Sequence, residues 1–176
     1  MLSSITVKEV QSEQDWNLFW ETFNTNWTRI GNPRERFELY GGRAFLVLED
    51  GVPVGTGSYR KPSQKFLSYF PSLEGKDNVV TYIDHLSLLP TTKNSRHCML
   101  SLFEEMMRVG MEYNYEYGTF FMHERVLTLF KRYTRINVIM EEENYIENDV
   151  SYQSVYVDIN ECWAKIQSHK VAQINN

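Results

Sequence analysis

The chain has 176 residues, of which 42% are hydrophobic, 14% aromatic and 23% charged, with a formal net charge of −5. That balance is too apolar for a disordered chain, and its longest apolar runs fall far short of the roughly 20 residues that span a bilayer. The acidic balance also argues against nucleic acid as the main partner, because phosphate binding depends on a net basic surface.

The length fits a single domain, 1–176, around one core. Lys8 and several polar residues stand where a secretory signal needs unbroken apolar sequence, so a cytoplasmic protein is expected. Cys98 and Cys162 lack metal-ligand spacing and read as reduced packing residues, and no metal is expected.

Ile5 and Val7 alternate with polar residues as in a short strand, and Ser12 with Asp15 forms the pattern of a capping box opening a helix. Trp16, Phe19, Trp20, Phe23 and Trp27 then recur on one helical stripe, which reads as core or as the lining of a substrate pocket. Asn32-Pro33 predicts a second, short helix ending at Gly41-Gly42. Ala44 to Glu49, the turn pair Asp50-Gly51 and Val52 to Arg60 predict a tight hairpin. Gly55 and Gly57 in its second arm suggest a bulge or a close approach of backbone or ligand, with the bulge favoured.

Residues 61–78 contain Pro62, Pro71 and Gly75 and read as a loop whose Phe66, Leu67, Tyr69 and Phe70 fold back onto the body. Val79 to Leu89 reads as a strand ending at Pro90, and Cys98 to Gly110 as a helix burying Met99, Leu102, Phe103, Met106 and Val109. Gly118 to Met122 reads as a buried strand and Glu124 to Tyr133 as a helix. Ile136 to Met140 and Ser154 to Ile159 read as late strands, and Glu161 to Val171 as a closing helix. Strands and helices mixed in this order predict an α/β fold with a central mixed β-sheet flanked by helices.

Three stretches, FLVLEDGVPVGTGSYRK, YIDHLSLLPTTKNSRHCMLSLF and HERVLTLFKRYTRI, together with the order of elements, resemble the GNAT superfamily of N-acyltransferases from about Ile5 to Ile159. The resemblance implies that the strand ending Leu88-Leu89-Pro90 leads into a turn holding the pyrophosphate of coenzyme A at a helix N-terminus. Unsatisfied N–H groups and a partial positive charge favour an anion at such a place. The residues placed there are Lys93, Asn94, Ser95, Arg96, His97 and Cys98. Lys93 stands where an Arg is usual, and Asn94, Arg96 and Cys98 where small residues are usual. Arg96 could turn outward and neutralise phosphate charge itself.

The resemblance further implies that pantetheine pairs with strand backbone near Leu86 and Leu88, with the thioester beside Tyr82, Asp84 and His85. Amine attack needs a proton acceptor, so Asp84 is the first candidate base and His85 the second. Alternation puts the two on opposite faces, so only one can point at the reacting centre. Phe130 occupies the position of a tyrosine that in many relatives protonates the departing thiolate. Phe130 could still pack against pantetheine, and Tyr133, one turn on, is a displaced candidate acid.

The leading expectation is therefore transfer of an acyl group, acetyl by default, from acetyl-CoA or another acyl-CoA to a small-molecule or peptide amine. Glu141, Glu142 and Glu143 could attract a cationic acceptor, or form a solvated face. A second reading takes the acyl chain from an acyl carrier protein, as in related families that make N-acyl amino acids or acyl-homoserine lactones. Carrier-bound pantetheine needs no pyrophosphate loop, and Arg125, Lys131, Arg132 and Arg135 could meet an acidic carrier. A third is a catalytically silent domain of this fold acting as a sensor or interaction module. The variable acceptor loops would be Asn24 to Arg36, Lys61 to Asn78 and Glu142 to Val150, and the late strands offer an edge for a homodimer.

Overall fold

A computed structural model of the chain describes residues 3–29, 42–147 and 149–174. The helix expected after Pro33 lies outside the described residues, as do the Tyr133 side chain and most of the loop expected to reach Arg36. The fold is α/β, a seven-stranded mixed sheet of order β1-β2-β3-β4-β5-β7-β6 with flanking helices. The described residues form two compact units, one from Met1–Arg60 with Ile83–Met106, the other from Lys61–Tyr82 with Met107–Asn176.

In the first unit, β1 (Ile5–Glu9) pairs antiparallel with β2 (Arg43–Glu49), which pairs antiparallel with β3 (Val52–Arg60). The hairpin turn is the one the sequence predicts, with Asp50 at φ 53° and Gly51 at φ 80°. Two consecutive positive φ values match the twist of the arms. Val47 pairs with Gly55 and Leu48 with Pro53, so Val54 is the extra residue of a bulge. Gly55 answers to close approach as well. A Cβ there would overlap Leu88 Cδ2 and lie 2.8 Å from the carbonyl oxygen of Ser87.

The helix α1 (Glu13–Arg29) opens on the expected capping box. The Asp15 amide donates to Ser12 Oγ at 3.1 Å and the Ser12 amide to Asp15 Oδ2 at 3.3 Å. Its aromatic stripe is core: Phe19, Trp20 and Phe23 are buried with Val10, Ala44 and Leu46, and Trp16 and Trp27 pack against them. Burying three large rings supplies the hydrophobic free energy that fixes α1 on the hairpin.

In the second unit, Val80 to Tyr82 of β4 (Val80–Leu88) pair parallel with Tyr117 to Thr119 of β5 (Tyr117–Met122). β5 pairs antiparallel with β7 (Val150–Asp158), and β7 with β6 (Ile139–Glu147). The late strands differ from expectation: Ile136 to Val138 lie outside β6, which runs on to Glu147, and β7 starts at Val150 and ends before Ile159, the first residue of the closing helix. β6 is the terminal strand and largely exposed, so its pairing comes from backbone hydrogen bonds and leaves no apolar pattern to read.

Residues 61–78 hold a one-turn helix, α2 (Gln64–Leu67), and a 3-10 turn at Pro71–Leu73. They fold back as expected: Phe70 and Leu73 are buried with Val80 and Tyr156, and Phe66, Leu67 and Tyr69 pack against them. The helix α3 (Ser95–Glu112) starts earlier than expected, at the turn after β4. The helix α4 (Glu124–Thr134) is capped by the His123 side chain and ends at left-handed Arg135. The closing helix, α5 (Ile159–Ile174), lies against β7.

Candidate functional site

The first unit brings together most of the residues singled out from the sequence. Midway along its part of β4, His85 has φ 52°, a left-handed conformation in a strand. Such a residue costs conformational energy and persists only where its surroundings hold it. Three contacts do so here. The His85 amide donates to Asp84 Oδ1 at 2.7 Å, and its carbonyl accepts from Thr56 Oγ1 at 2.7 Å. Its ring is buried edge-on against Phe19, Trp20 and Phe23, with centroids 4.9 to 6.0 Å away.

The left-handed turn changes what alternation predicts. Asp84 Oδ2 lies 3.6 Å from His85 Nδ1, so the two side chains converge. The Ser58 hydroxyl is 2.8 Å from the same nitrogen and 3.2 Å from the Asp84 carbonyl oxygen. A hydroxyl has one proton, so the arrangement that satisfies every group has Ser58 donating to the carbonyl and His85 Nδ1–H donating to Ser58. The carboxylate beside Nδ1 favours the same tautomer, which places the imidazole lone pair on Nε2. Asp84 is 29% exposed and also faces Arg60 Nη2 at 3.8 Å, whereas the His85 side chain is 4% exposed. Of the two, Asp84 is the side chain open to solvent, and His85 is part of the packing.

Leu86 and Leu88 are half-buried on the same strand, and Ser87 Oγ between them accepts from Asn26 Nδ2 of α1 at 3.1 Å. After the strand, the Leu89 amide donates to the Val54 carbonyl at 2.7 Å, and Thr92 Oγ1 donates to the Leu89 carbonyl at 2.6 Å. The turn that follows is where the resemblance implies an anion. Here two of its N–H groups, those of Lys93 and Asn94, meet a carboxylate of the chain itself. Glu49, at the end of β2, accepts from the Lys93 amide at 2.9 Å, the Asn94 amide at 3.1 Å and Asn94 Nδ2 at 2.6 Å. Glu49 is 6% exposed, and the Lys93 amide above all holds its carboxyl below the ordinary glutamate value.

The remaining turn residues divide by exposure. Lys93, Arg96 and His97 are exposed, so Arg96 does turn outward, while Ser95 Oγ donates to the Thr92 carbonyl at 3.2 Å. Cys98 is wholly buried, and burial first and Glu49 second push its thiol up to about 11. Burial likewise pushes Cys162 up to about 12. Both cysteines are free, neutral packing groups.

No local sequence pattern marks Glu49, Ser58 or Thr56 as site residues. Glu49 stands beside a hairpin turn and 44 residues from its first partner. Alternating small hydroxyl and glycine residues in Gly55-Thr56-Gly57-Ser58 are the only signal for the other two.

Two further candidates belong to the second unit. Phe130 is buried on α4 with its ring edge-on to Phe120, 5.8 Å between centroids. Tyr133 lies on the last turn of that helix, its side chain outside the described residues. Glu141 is buried and accepts from the Ser72 amide and hydroxyl at 3.2 and 3.0 Å, while Glu142 and Glu143 are exposed. Among the described residues no helix is long and apolar enough to cross a membrane, and no group of three or more His, Cys, Asp or Glu is placed to hold a metal ion.

This architecture is the GNAT acyltransferase fold. The chain is similar to the AHL synthase LasI, with a TM-score of 0.72 and 11% identity over 95% of this chain and 96% of that one. It is similar to FeeM, an N-acyl amino acid synthase from uncultured soil microbes, with a TM-score of 0.71 and 10% identity over 93% and 96%. A third similar structure is BjaI, a CoA-dependent acyl-homoserine lactone synthase with SAM and isopentyl-CoA, at TM-score 0.67 and 13% identity over 96% and 89%. No protein-family model matches the chain. No curated protein matches it either.

Proposed function

We propose that the chain is an N-acyltransferase that moves an acyl group from a pantetheine thioester to a primary amine. The observation that carries this reading is the left-handed His85 inside β4, which sets the reachable Asp84 carboxylate beside a backbone turned out of regular strand geometry. Strain of this kind is kept where it serves a site. In the reaction the amine nitrogen attacks the thioester carbonyl carbon. The new C–N bond forms, the C–S bond breaks, and the sulfur leaves as a thiolate. The Asp84 carboxylate takes the proton that the amine sheds, held in place by the His85 backbone amide and faced by Arg60. The departing thiolate is a fair leaving group unaided, so Phe130 in place of a tyrosine is compatible with turnover. SAM, present with BjaI, bears an amine of the class required.

The test is thiol release from acyl-pantetheine, acyl-CoA and acyl carrier protein across a panel of amines, with the wild type and Asp84→Asn. The substituted amide keeps an acceptor oxygen for the His85 N–H, so the fold should survive. A fall in kcat/KM of about 10²- to 10⁴-fold is expected, the usual worth of a general base. A change under about threefold, too small for a general base, would remove Asp84 from the mechanism. Donor binding with no thiol released by any amine would replace the proposal with a silent ligand-binding domain.

A further inference from the structure

We infer that Glu49 is a specificity-determining residue that sets the donor class, excluding the pyrophosphate of a nucleotide-bearing thioester and leaving pantetheine carried on a protein as the donor. This deepens the acyl-transfer reading and rests on it. The two backbone N–H groups that lead into α3, those of Lys93 and Asn94, are already engaged, as is the Asn94 side-chain amide, by one buried carboxylate that stands beside the first-turn amides of Ser95 to His97. A phosphate oxygen seeking those donors would have to displace three hydrogen bonds.

The second step is charge. The lowered pKa means that the glutamate is ionised at neutral pH. A diphosphate brought to the same amides would meet a like charge at contact distance in a poorly solvated place, where such repulsion is weakly screened. The third step is anchorage. Glu49 sits in the last register position of β2, opposite Val52 across a two-residue turn, so backbone pairing prevents it from simply swinging away. The exposed cations of the turn, Lys93 and Arg96, stay available at the surface. They suit the single phosphate of a carrier-bound phosphopantetheine arm, which can be met from outside without entering the N–H groups. The fold itself does not decide the donor, since the similar BjaI is CoA-dependent, so the choice lies in residues such as this one.

Isothermal titration of inorganic pyrophosphate and of CoA into the wild type, Glu49→Gln and Glu49→Ala tests the turn without relying on turnover. Removing a like charge in poor solvation should tighten both ligands by at least about tenfold in Glu49→Ala. Glu49→Gln should show a smaller gain, because its amide oxygen still accepts but carries no charge. Pantetheine, which has no phosphate, should bind all three alike. Circular dichroism confirms that each variant is folded, and Glu49→Gln, the more conservative change, serves alone if Glu49→Ala is not. Equal pyrophosphate affinity in the wild type and the folded variants overturns the inference, as does a wild type that uses acyl-CoA with a kcat/KM matching that for acyl carrier protein. Tighter pyrophosphate binding in the variants, with no transfer from any donor, would uphold the role of Glu49 in the turn. That same result would overturn its role in choosing a donor, along with the proposed activity.

Discussion

The helices α1 and α3 start in the same chemical way and for different reasons. At α1 a carboxylate from the local sequence, Asp15, accepts from the Gln11 and Ser12 amides and from Lys8 Nζ. At α3 the carboxylate is Glu49, which reaches the Lys93 and Asn94 amides from a strand 44 and 45 residues away. Both satisfy N–H groups that a helix cannot satisfy itself, and both place negative charge at the positive end of the helix dipole. The local cap does only that. The remote one also ties β2 to the turn after β4, and under the inference drawn above it bears on specificity as well as stability.

The comparison breaks most readily at Gly55. The approach of Ser87 and Leu88 to that glycine lets the end of β4 and the following turn sit against β3, where Leu89 bonds to Val54. Gly55→Ala puts a methyl group within 2.8 Å of a backbone oxygen, which cannot rotate away. A loss of about 3 kcal/mol in urea unfolding is expected, the upper end of the usual overpacking cost. A loss below about 0.5 kcal/mol, within the range of an ordinary surface substitution, would mean that the remote cap does not depend on this contact. Glu49→Ala should cost less than Gly55→Ala, since it leaves two backbone amides short of an acceptor but forces no overlap with backbone. Ser12→Ala removes one local capping bond and should cost least, about 1 kcal/mol. If Ser12→Ala proved more damaging than Glu49→Ala, α3 would draw its stability from burial alone and the two caps would not be equivalent.

The contrast also explains what is legible in the sequence. Capping boxes, two-residue turns and aromatic stripes act within a few residues, so the Ser12 cap, the Asp50-Gly51 hairpin and the packing of Phe19, Trp20 and Phe23 can be read directly. The fold follows from their order. Asp84, His85 and the turn from Lys93 are legible as positions, but their geometry is not. A left-handed histidine in a strand violates local preference and is held by Ser58 and Thr56 from another strand, and Glu49 likewise acts only through tertiary contact. The late strands outrun their sequence pattern because β6 is paired through its backbone and is mostly exposed, leaving Glu142 to Val150 to read as loop.

The smallest expected effect distinguishes the two caps by pH. The bond from Lys8 above all, opposed by burial, holds the Asp15 carboxyl at about 2, while the turn amides hold Glu49 below its ordinary value. In each case the unfolded chain takes up the proton more readily than the folded one. Each contribution is therefore complete above the unfolded value and is lost as pH falls through the folded one. For Asp15 the loss runs from the ordinary aspartate value down to about 2, and for Glu49 it begins below the ordinary glutamate value. Asp15→Asn and Glu49→Gln keep an acceptor oxygen but do not titrate. In urea midpoints measured from about pH 2 to pH 7, a range that spans both carboxyl groups, each should flatten its own part of the acid limb. Added salt should weaken the Asp15 effect more, because Lys8 is 56% exposed and its pairing is screened, whereas Glu49 is itself buried and bonds to backbone amides. An Asp15→Asn variant with an unchanged acid limb would show that Lys8 adds nothing to the α1 cap, leaving neutral hydrogen bonds as its whole content and making the remote cap the charged one of the two.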